Sequence, residues 1–207
     1  MTSTLRWGLL LTLLPVAAAA QTTPRIYVGA SAVLLRTAPF SSYGTSHAGP
    51  AATIGVQLNE RWAVETGFQA VWYSASDYQD FTGSTSPISY SSSLRSTSFL
   101  VPVLARLTLT RAQSPLRVDL LGGLNLVRKL STFTQSVTEN GVTRIDDFSG
   151  NVNNINLAFG PQVRYALGTR FEAKLNVPLN VRLNNKYGAF SDQSFLNPQL
   201  GLQYTFN

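Results

Sequence analysis

The side chains best suited to chemistry lie in polar segments between apolar ones. The sequence contains one histidine, His47, directly after Thr45 and Ser46. A serine beside a histidine is the pairing from which hydrolases and acyltransferases build a nucleophile and its base. Neighbours in sequence do not by themselves form a triad, and a lone histidine in a loop is usually a solvated surface residue. We therefore predict no catalytic residue and keep an enzyme acting on lipid ester bonds as one alternative.

Two pairs of acidic residues could in principle hold a cation. Asp77 and Asp80 lie in one polar segment, and Asp146 and Asp147 lie in another. Neither pair has the regularly spaced oxygen ligands of a calcium-binding loop. The sequence therefore predicts solvated acids, with no metal and no cofactor.

The charge pattern argues against nucleic acid as a partner. The chain has 16 Lys and Arg against 10 Asp and Glu, a formal net charge of +6. These basic residues are scattered and do not form the basic stripe expected of a nucleic-acid-binding surface.

The N-terminus has the pattern of a secretory signal peptide. Arg6 precedes an apolar run from Trp7 that ends in four alanines, Ala17 to Ala20. A basic start, a short apolar run and small residues before a cut site are typical of such a signal. We predict cleavage between Ala20 and Gln21, which makes residues 1–20 a signal peptide and residues 21–207 one domain without cysteine.

The stretch from Arg170 to Leu183 shows how the domain is built. It reads RFEAKLNVPLNVRL, with an apolar residue at every odd position and a polar residue or proline at every even position. Strict period-two alternation predicts a β-strand with one apolar and one polar face. The same pattern recurs along the chain and predicts eight strands, over residues 25–35, 51–58, 62–73, 94–107, 115–130, 153–167, 170–183 and 195–206.

The connections between these strands alternate in length. Long polar segments are predicted over residues 37–49, 74–92, 131–150 and 184–194, and tight turns over residues 59–61, 108–114 and 168–169. In an up-and-down sheet all the long connections then share one end, and the turns share the other end with both termini. Short periplasmic turns and long external loops are typical of outer-membrane barrels. The predicted fold is all-β, an eight-stranded antiparallel up-and-down transmembrane β-barrel.

The apolar face could point outward to lipid or inward to a ligand, as in a secreted lipocalin-like barrel. Trp62 and Trp72 share one strand face. With a rise of about 3.3 Å per residue and a strand tilt of about 40°, they lie roughly 25 Å apart along the barrel axis. That distance is the height of the lipid-facing band between two aromatic girdles, and it favours the outward orientation. The predicted membrane-interface aromatics are Trp62, Trp72, Tyr165, Phe171, Tyr204 and Phe206.

The polar face carries charges of both signs in mid-strand. An eight-stranded barrel is just wide enough for its side chains to fill it, so we expect a paired network rather than a channel. The predicted interior polar network consists of Glu65, Arg106, Arg117, Asp119, Arg164, Glu172, Lys174 and Arg182. On this view Glu172→Ala should destabilise the barrel more than changes in the loops do.

Several segments give the sequence a resemblance to a known family. These are the alanine-rich end of the signal, the segment Ser98–Leu104 with Pro102, the pair Gly122-Gly123, and the closing Gly201–Phe206. In these features the chain resembles the PorT-like outer-membrane β-barrel proteins common in Bacteroidota. The resemblance implies an outer-membrane location, and the aromatic near the end, Phe206, implies recognition by the outer-membrane assembly machinery. It implies no catalytic residue.

The predicted function is that of a small outer-membrane barrel with a filled polar interior and a structural or interaction role in the cell envelope. Binding usually resides in long loops on a rigid scaffold. The predicted loops carry aromatic anchors for an extracellular or envelope protein partner, namely Tyr43, Tyr78, Phe81, Tyr90 and Phe148. The alternatives are a lipocalin-like soluble barrel that binds a hydrophobic ligand and an outer-membrane lipid hydrolase or acyltransferase.

Overall fold

The structure is a computed structural model that describes residues 24–39, 45–81, 88–111, 113–139, 141–184 and 193–206. The predicted signal peptide and Tyr43 lie outside the described residues. No helix within these ranges has the length and hydropathy of a membrane-crossing helix.

Within the described residues, ten antiparallel strands form one closed sheet. They are β1 (Arg25–Thr37), β2 (Ser46–Gln57), β3 (Trp62–Phe81), β4 (Ile88–Thr108), β5 (Leu116–Glu139), β6 (Val142–Ala166), β7 (Phe171–Asn176), β8 (Leu179–Arg182), β9 (Ser194–Leu196) and β10 (Gln199–Thr205). β1 to β7 pair in chain order, and β10 pairs with both β7 and β1. The first strand thus meets the last, and the sheet is a barrel without a free edge along its wall.

Two prolines account for ten strands where eight are predicted. The predicted seventh strand is interrupted at Val177-Pro178, so that β7 and β8 lie one after the other beside β6. The predicted eighth strand is interrupted at Asn197-Pro198, so that β9 and β10 both lie beside β1. Proline has no N–H to donate to the ladder, which breaks the strand locally. The barrel wall therefore has eight strand positions, one shared by β7 and β8 and one shared by β9 and β10. The predicted fold class is confirmed.

The two faces of each strand have opposite environments. On β3, Phe68 is 51% exposed on the outside of the barrel, whereas its neighbour Gln69 is 2% exposed on the inside. The same alternation along the other strands leaves apolar side chains outside and polar ones inside, as with Leu157 and Asn156 on β6. The lipocalin-like alternative requires the apolar face inside, and it is therefore wrong.

The predicted long loops over residues 74–92 and 131–150 are in large part strand. β3 and β4 remain paired up to Phe81 and Ile88, and β5 and β6 remain paired up to Glu139 and Val142. Their Ser- and Thr-rich sequences suggest loops, yet threonine favours strands and cross-strand Ser and Thr pairs stabilise them. Gly141 lies directly before β6 with a φ of 78°, a positive angle that glycine adopts readily and that hairpin turns require.

Candidate functional site

A cluster of charged side chains occupies the barrel interior near the tight turns. Arg164 is central to this cluster: its Nε lies 2.6 Å from Asp119 Oδ2, and its Nη1 lies 2.8 Å from Glu172 Oε2. Arg117 Nη1 donates to the other oxygen of Glu172 at 2.7 Å. Thr108 donates to Asp119 at 2.7 Å and accepts from Arg164 at 3.2 Å. The four neighbouring strands β4, β5, β6 and β7 are thereby joined by side chains inside the lumen.

A second pair lies inside the lumen on the neighbouring strands β3 and β4. Arg106 and Glu65 approach to 3.6 Å, and both are buried. Tyr27 on β1 donates its hydroxyl to Glu65 at 2.9 Å, and the Arg106 guanidinium lies 4.7 Å from the centre of its ring. Gly55 faces this ring, since a Cβ at that position would lie 2.2 Å from it. The absence of a side chain at Gly55 therefore makes room for Tyr27.

Gln203 connects the two charged groups, although its sequence context does not single it out. Its side-chain amide donates to Glu172 at 3.3 Å and accepts from Arg106 at 3.5 Å. Its inward position in the alternation of β10 is the signal that could have identified it. Six of the eight predicted network residues thus meet in one connected set, which we call the luminal network: Glu65, Arg106, Arg117, Asp119, Arg164 and Glu172, with Tyr27, Thr108 and Gln203.

The other two predicted network residues lie apart from this set. Lys174 is buried and donates from Nζ to Thr53 Oγ1 at 3.1 Å on the far side of the lumen. Arg182 on β8 is half-buried, and its Nε has no hydrogen-bond partner among the described residues. Proximity in sequence to Glu172 therefore does not bring either of them into an ion pair with it.

Amide and apolar layers fill the lumen beyond the luminal network. Asn125 donates to Asn180 at 2.9 Å, and Asn197 donates to Gln69 at 2.8 Å. Toward the end with the long hairpins, an apolar cluster consists of Val33, Leu35, Ala51, Val71, Leu100 and Val127, with Phe195 packed against it. Side chains of different polarity thus occupy successive levels of the barrel interior.

Tyr27→Phe is predicted to destabilise the barrel by about 1.5–3 kcal/mol, the usual contribution of a hydrogen bond to a charged group. The ring would keep its place against Arg106, whereas Glu65 would lose the hydrogen bond from the Tyr27 hydroxyl. The free energy of unfolding in urea, measured in detergent micelles, tests this. Tyr165→Phe on the exposed outer face is the matched control, and an equal loss in both variants would contradict the assigned role of the hydroxyl.

Beyond the barrel wall, β3 to β6 continue as a four-stranded sheet that we call the hairpin sheet (residues 74–81, 88–95, 131–139 and 142–152). One register row crosses all four strands through Ala75, Leu94, Phe133 and Phe148. These side chains share the strand face that lines the lumen lower down, and the rings of Phe133 and Phe148 lie 6.5 Å apart. The opposite face is dominated by Ser and Thr: Ser74, Ser76, Ser89, Ser91, Ser93, Thr132, Thr134, Ser136, Thr138, Thr143 and Ser149.

A closed antiparallel barrel, an apolar outer face and long hairpins at one end describe a class of envelope proteins. A family model described as the outer membrane protein beta-barrel domain matches residues 8–206. The chain belongs to this family. It is accordingly an outer-membrane protein. An apolar outer face toward lipid and short turns toward the periplasm are typical of such barrels. No curated protein matches the chain at a significant level.

Three solved structures illustrate the similarity in shape. Neisserial surface protein A (NspA) is 15% identical, with 89% of this chain and 100% of that chain covered and a TM-score of 0.47. Ail, the attachment invasion locus protein of Yersinia pestis, is 13% identical, with 88% and 97% covered and a TM-score of 0.46. A major outer membrane protein from Thermus thermophilus is 12% identical, with 89% and 100% covered and a TM-score of 0.48.

The six predicted interface aromatics of this outer-membrane barrel are placed unevenly. Trp62, Tyr165, Phe171, Tyr204 and Phe206 all lie near the tight turns, and Trp72 lies at the level where the hairpin sheet begins. The rings of Phe171 and Phe206 each lie 5.0 Å from the ring of Tyr204. The structure thus brings three of the predicted residues into one cluster beside Arg170, which donates to the Tyr204 hydroxyl at 3.2 Å.

His47 is not the solvated loop residue that the sequence suggests. It lies on β2 with its side chain turned into the barrel mouth, 3% exposed. Its ring stacks on Tyr73 with 4.8 Å between centroids, and its Nε2 lies 3.1 Å from Thr45 Oγ1. Because β2 begins at Ser46 and extends beyond the predicted strand, the inward alternation includes His47.

The acidic residues proposed as possible cation ligands lie on the hairpin sheet. Asp77 and Asp80 are on β3, and Asp146 and Asp147 are on β6. A hydrogen bond from Ser89, and to a smaller extent one from Tyr78, holds the pKa of Asp80 below its usual value. Within the described part of the chain, no group of three or more His, Cys, Asp or Glu side chains is arranged to hold a metal ion.

Proposed function

We propose that this barrel is a rigid support that presents the hairpin sheet at the cell surface to an extracellular or envelope protein. The observation that carries the proposal is the row Ala75, Leu94, Phe133 and Phe148, which crosses the whole sheet on one face. Phe148 is 60% exposed, although its side chain is large and apolar. Exposed apolar surface held on a rigid scaffold is typical of an interaction site.

The outer face of the strands changes from apolar to hydroxyl-rich where they leave the barrel. On β5, Leu124 and Leu126 point outward in the lipid band, whereas Thr132 and Thr134 point outward in the hairpin sheet. Phe133 and Val137 point inward on the same strand. An apolar outer face matches lipid and a hydroxyl-rich outer face matches water, so the reversal supports a sheet that stands in solvent. The apolar row on its inner face then remains available to a partner.

The edge of β6 supports an extended polypeptide as that partner. All residues from Val142 to Asn153 are exposed, and no described strand pairs with their second edge up to Val152. A free strand edge offers backbone N–H and C=O groups to an added strand. Alternate side chains of such a strand would lie beside Phe148 and Val152, so the edge supplies affinity and the apolar row supplies specificity.

Two finer assignments belong to the same proposal. Within its family the chain resembles the PorT-like branch in the segment Ser98–Leu104 and in the closing Gly201–Phe206. We also propose that the outer-membrane assembly machinery inserts the barrel, since Phe206 near the C-terminus is the type of residue that it reads.

A photo-reactive benzoylphenylalanine placed at position 148 tests the interaction. We expect irradiation of cells producing this variant to yield one discrete adduct, identified by mass spectrometry as an extracellular or envelope protein. The same group at position 145 is the matched control, because Ile145 is equally exposed but lies on the opposite face.

A second substitution separates binding from accidental proximity. Phe133→Ser removes the ring in contact with Phe148 and should abolish the adduct while the heat-dependent gel mobility of the barrel persists. Equal labelling from positions 145 and 148, or an adduct that survives Phe133→Ser, would rule out the apolar row as the recognition surface.

A further inference from the structure

The periplasmic end of the barrel carries a cleft between two tight turns. The turn between β2 and β3 and the turn between β4 and β5 enclose about 290 Å³, lined by Glu60, Arg61, Leu109, Thr110, Arg111 and Gln113. Thr108 N donates to Arg61 O at 2.7 Å and holds the two turns together. The side chain of Asn59 accepts from the backbone N–H groups of Arg61 and Trp62, both at 2.9 Å, which fixes the first turn.

The charged side chains of the cleft are free to bind a ligand. Glu60, Arg61 and Arg111 are exposed, and none of them forms an ion pair or side-chain hydrogen bond with a described residue. Two guanidinium groups provide forked donors suited to a phosphate. One carboxylate beside them suits an ammonium group. The cleft therefore presents two cationic groups and one anionic group with no partners of their own among the described residues.

The outer lip of the cleft is apolar and meets the lipid-facing wall. Leu109 is 61% exposed beside the cleft, and Trp62 and Leu116 are exposed at the same end of their strands. This is the level at which the apolar band gives way to the periplasmic turns, and there a phospholipid has its headgroup above and its acyl chains below. An amphiphile can thus keep its tails in the bilayer while its headgroup enters the cleft.

We infer that this cleft binds the headgroup of a phosphatidylethanolamine molecule of the periplasmic leaflet. Arg61 and Arg111 hold the phosphate, and Glu60 accepts hydrogen bonds from the ammonium. A choline headgroup has no N–H to donate to Glu60, and a glycerol headgroup has no positive charge to pair with it. The cleft thus distinguishes ethanolamine lipids from both, whereas arginines alone would favour the anionic glycerol lipid.

Native mass spectrometry of the full barrel, released from detergent with added lipid, tests this inference. Phosphatidylethanolamine, phosphatidylglycerol and phosphatidylcholine with identical acyl chains are compared. We expect the ethanolamine lipid to be retained about tenfold better than the choline lipid, the ratio set by one charge-assisted hydrogen bond. Equal retention of all three lipids would overturn the inference.

Matched variants assign the effect to the cleft. E60Q should remove the preference for ethanolamine over choline, and the double variant R61Q/R111Q should weaken retention of every phospholipid. The double variant R36Q/R95Q changes two exposed arginines near the opposite rim and should leave retention of the ethanolamine lipid unchanged. Loss of retention in R36Q/R95Q, or an unchanged preference in E60Q, would contradict a site in the cleft.

The source of the headgroup is tested with a soluble probe. O-phosphoethanolamine carries the phosphate and the ammonium without acyl chains, and at matched concentration it should not displace the bound lipid. Displacement by this probe would show a site for soluble phosphates and would overturn the assignment to a membrane lipid. Heat-dependent gel mobility of each variant verifies that the barrel is folded.

Discussion

Arg164→Met is expected to lower the free energy of unfolding by about 3–5 kcal/mol, the usual cost of removing one partner from a buried ion pair. The guanidinium contacts Asp119 and Glu172 at 2.6 and 2.8 Å in a part of the lumen that side chains fill. Without it, Asp119 retains hydrogen bonds only to Thr108 and Gln162 among the described residues. Urea unfolding in micelles, followed by tryptophan fluorescence, measures the change.

Two further variants separate a network effect from a general effect of charge. Arg128→Met removes an exposed arginine on β5 and should change stability by no more than about 0.5 kcal/mol. The double variant Arg164→Met/Asp119→Asn should be more stable than Arg164→Met alone, because it removes the uncompensated carboxylate as well. Equal stability of Arg164→Met and the parent protein would show that the luminal network does not hold the barrel closed.

Gly123→Ala is expected to destabilise the barrel by about 1–3 kcal/mol or more, since the added carbon has no space. A Cβ at this position would lie 2.2 Å from Val103 O and 2.9 Å from Leu104 Cα, both backbone atoms of the neighbouring strand β4. Relief requires β4 and β5 to move apart, which weakens their ladder. The temperature at which the compact gel band converts to the unfolded band reports the loss.

The adjacent residue provides the control for this experiment. Gly122 points to the outer face, and a Cβ there would meet no atom within 4 Å. Gly122→Ala should therefore change the free energy of unfolding by no more than about 1 kcal/mol. We expect a small increase, because alanine restricts the conformations of the unfolded chain. A common effect of the two substitutions would indicate backbone freedom rather than close strand contact as the reason for the glycine pair.

The strand faces could be predicted from sequence because alternation depends only on local geometry. Phe68 and Gln69 adopt opposite sides of β3 as soon as the segment is extended. The direction of the apolar face was also accessible, since the spacing of Trp62 and Trp72 suits a lipid band. The fold class and the outer-membrane location followed from these two features and are confirmed.

The sequence predicts loops where the hairpin sheet lies, although one signal for the sheet is present. Asn140-Gly141 between two alternating segments is a strong hairpin sequence, and in the chain it stands between β5 and β6. The many Ser and Thr residues on either side suggested a loop instead. A loop prediction assigns no faces to the aromatic anchors, whereas in the structure Tyr90 and Phe148 share the inner side of the sheet and Tyr78 lies on the outer side.

The amino-acid sequence by itself determined which residues face inward and which face outward, because side chains alternate along any extended strand. Only the tertiary structure decided which inward residues meet. Gln203 joins Arg106 to Glu172 through contacts 97 and 31 residues apart in the chain, whereas Lys174 contacts Thr53. Such pairings depend on the register and closure of the whole sheet, which bring β10 beside β1 and set the level of every side chain in the lumen. Local periodicity contains no information about the register or the closure of the sheet. The alternation is the same for every register that leaves the apolar side chains outside and the polar ones inside.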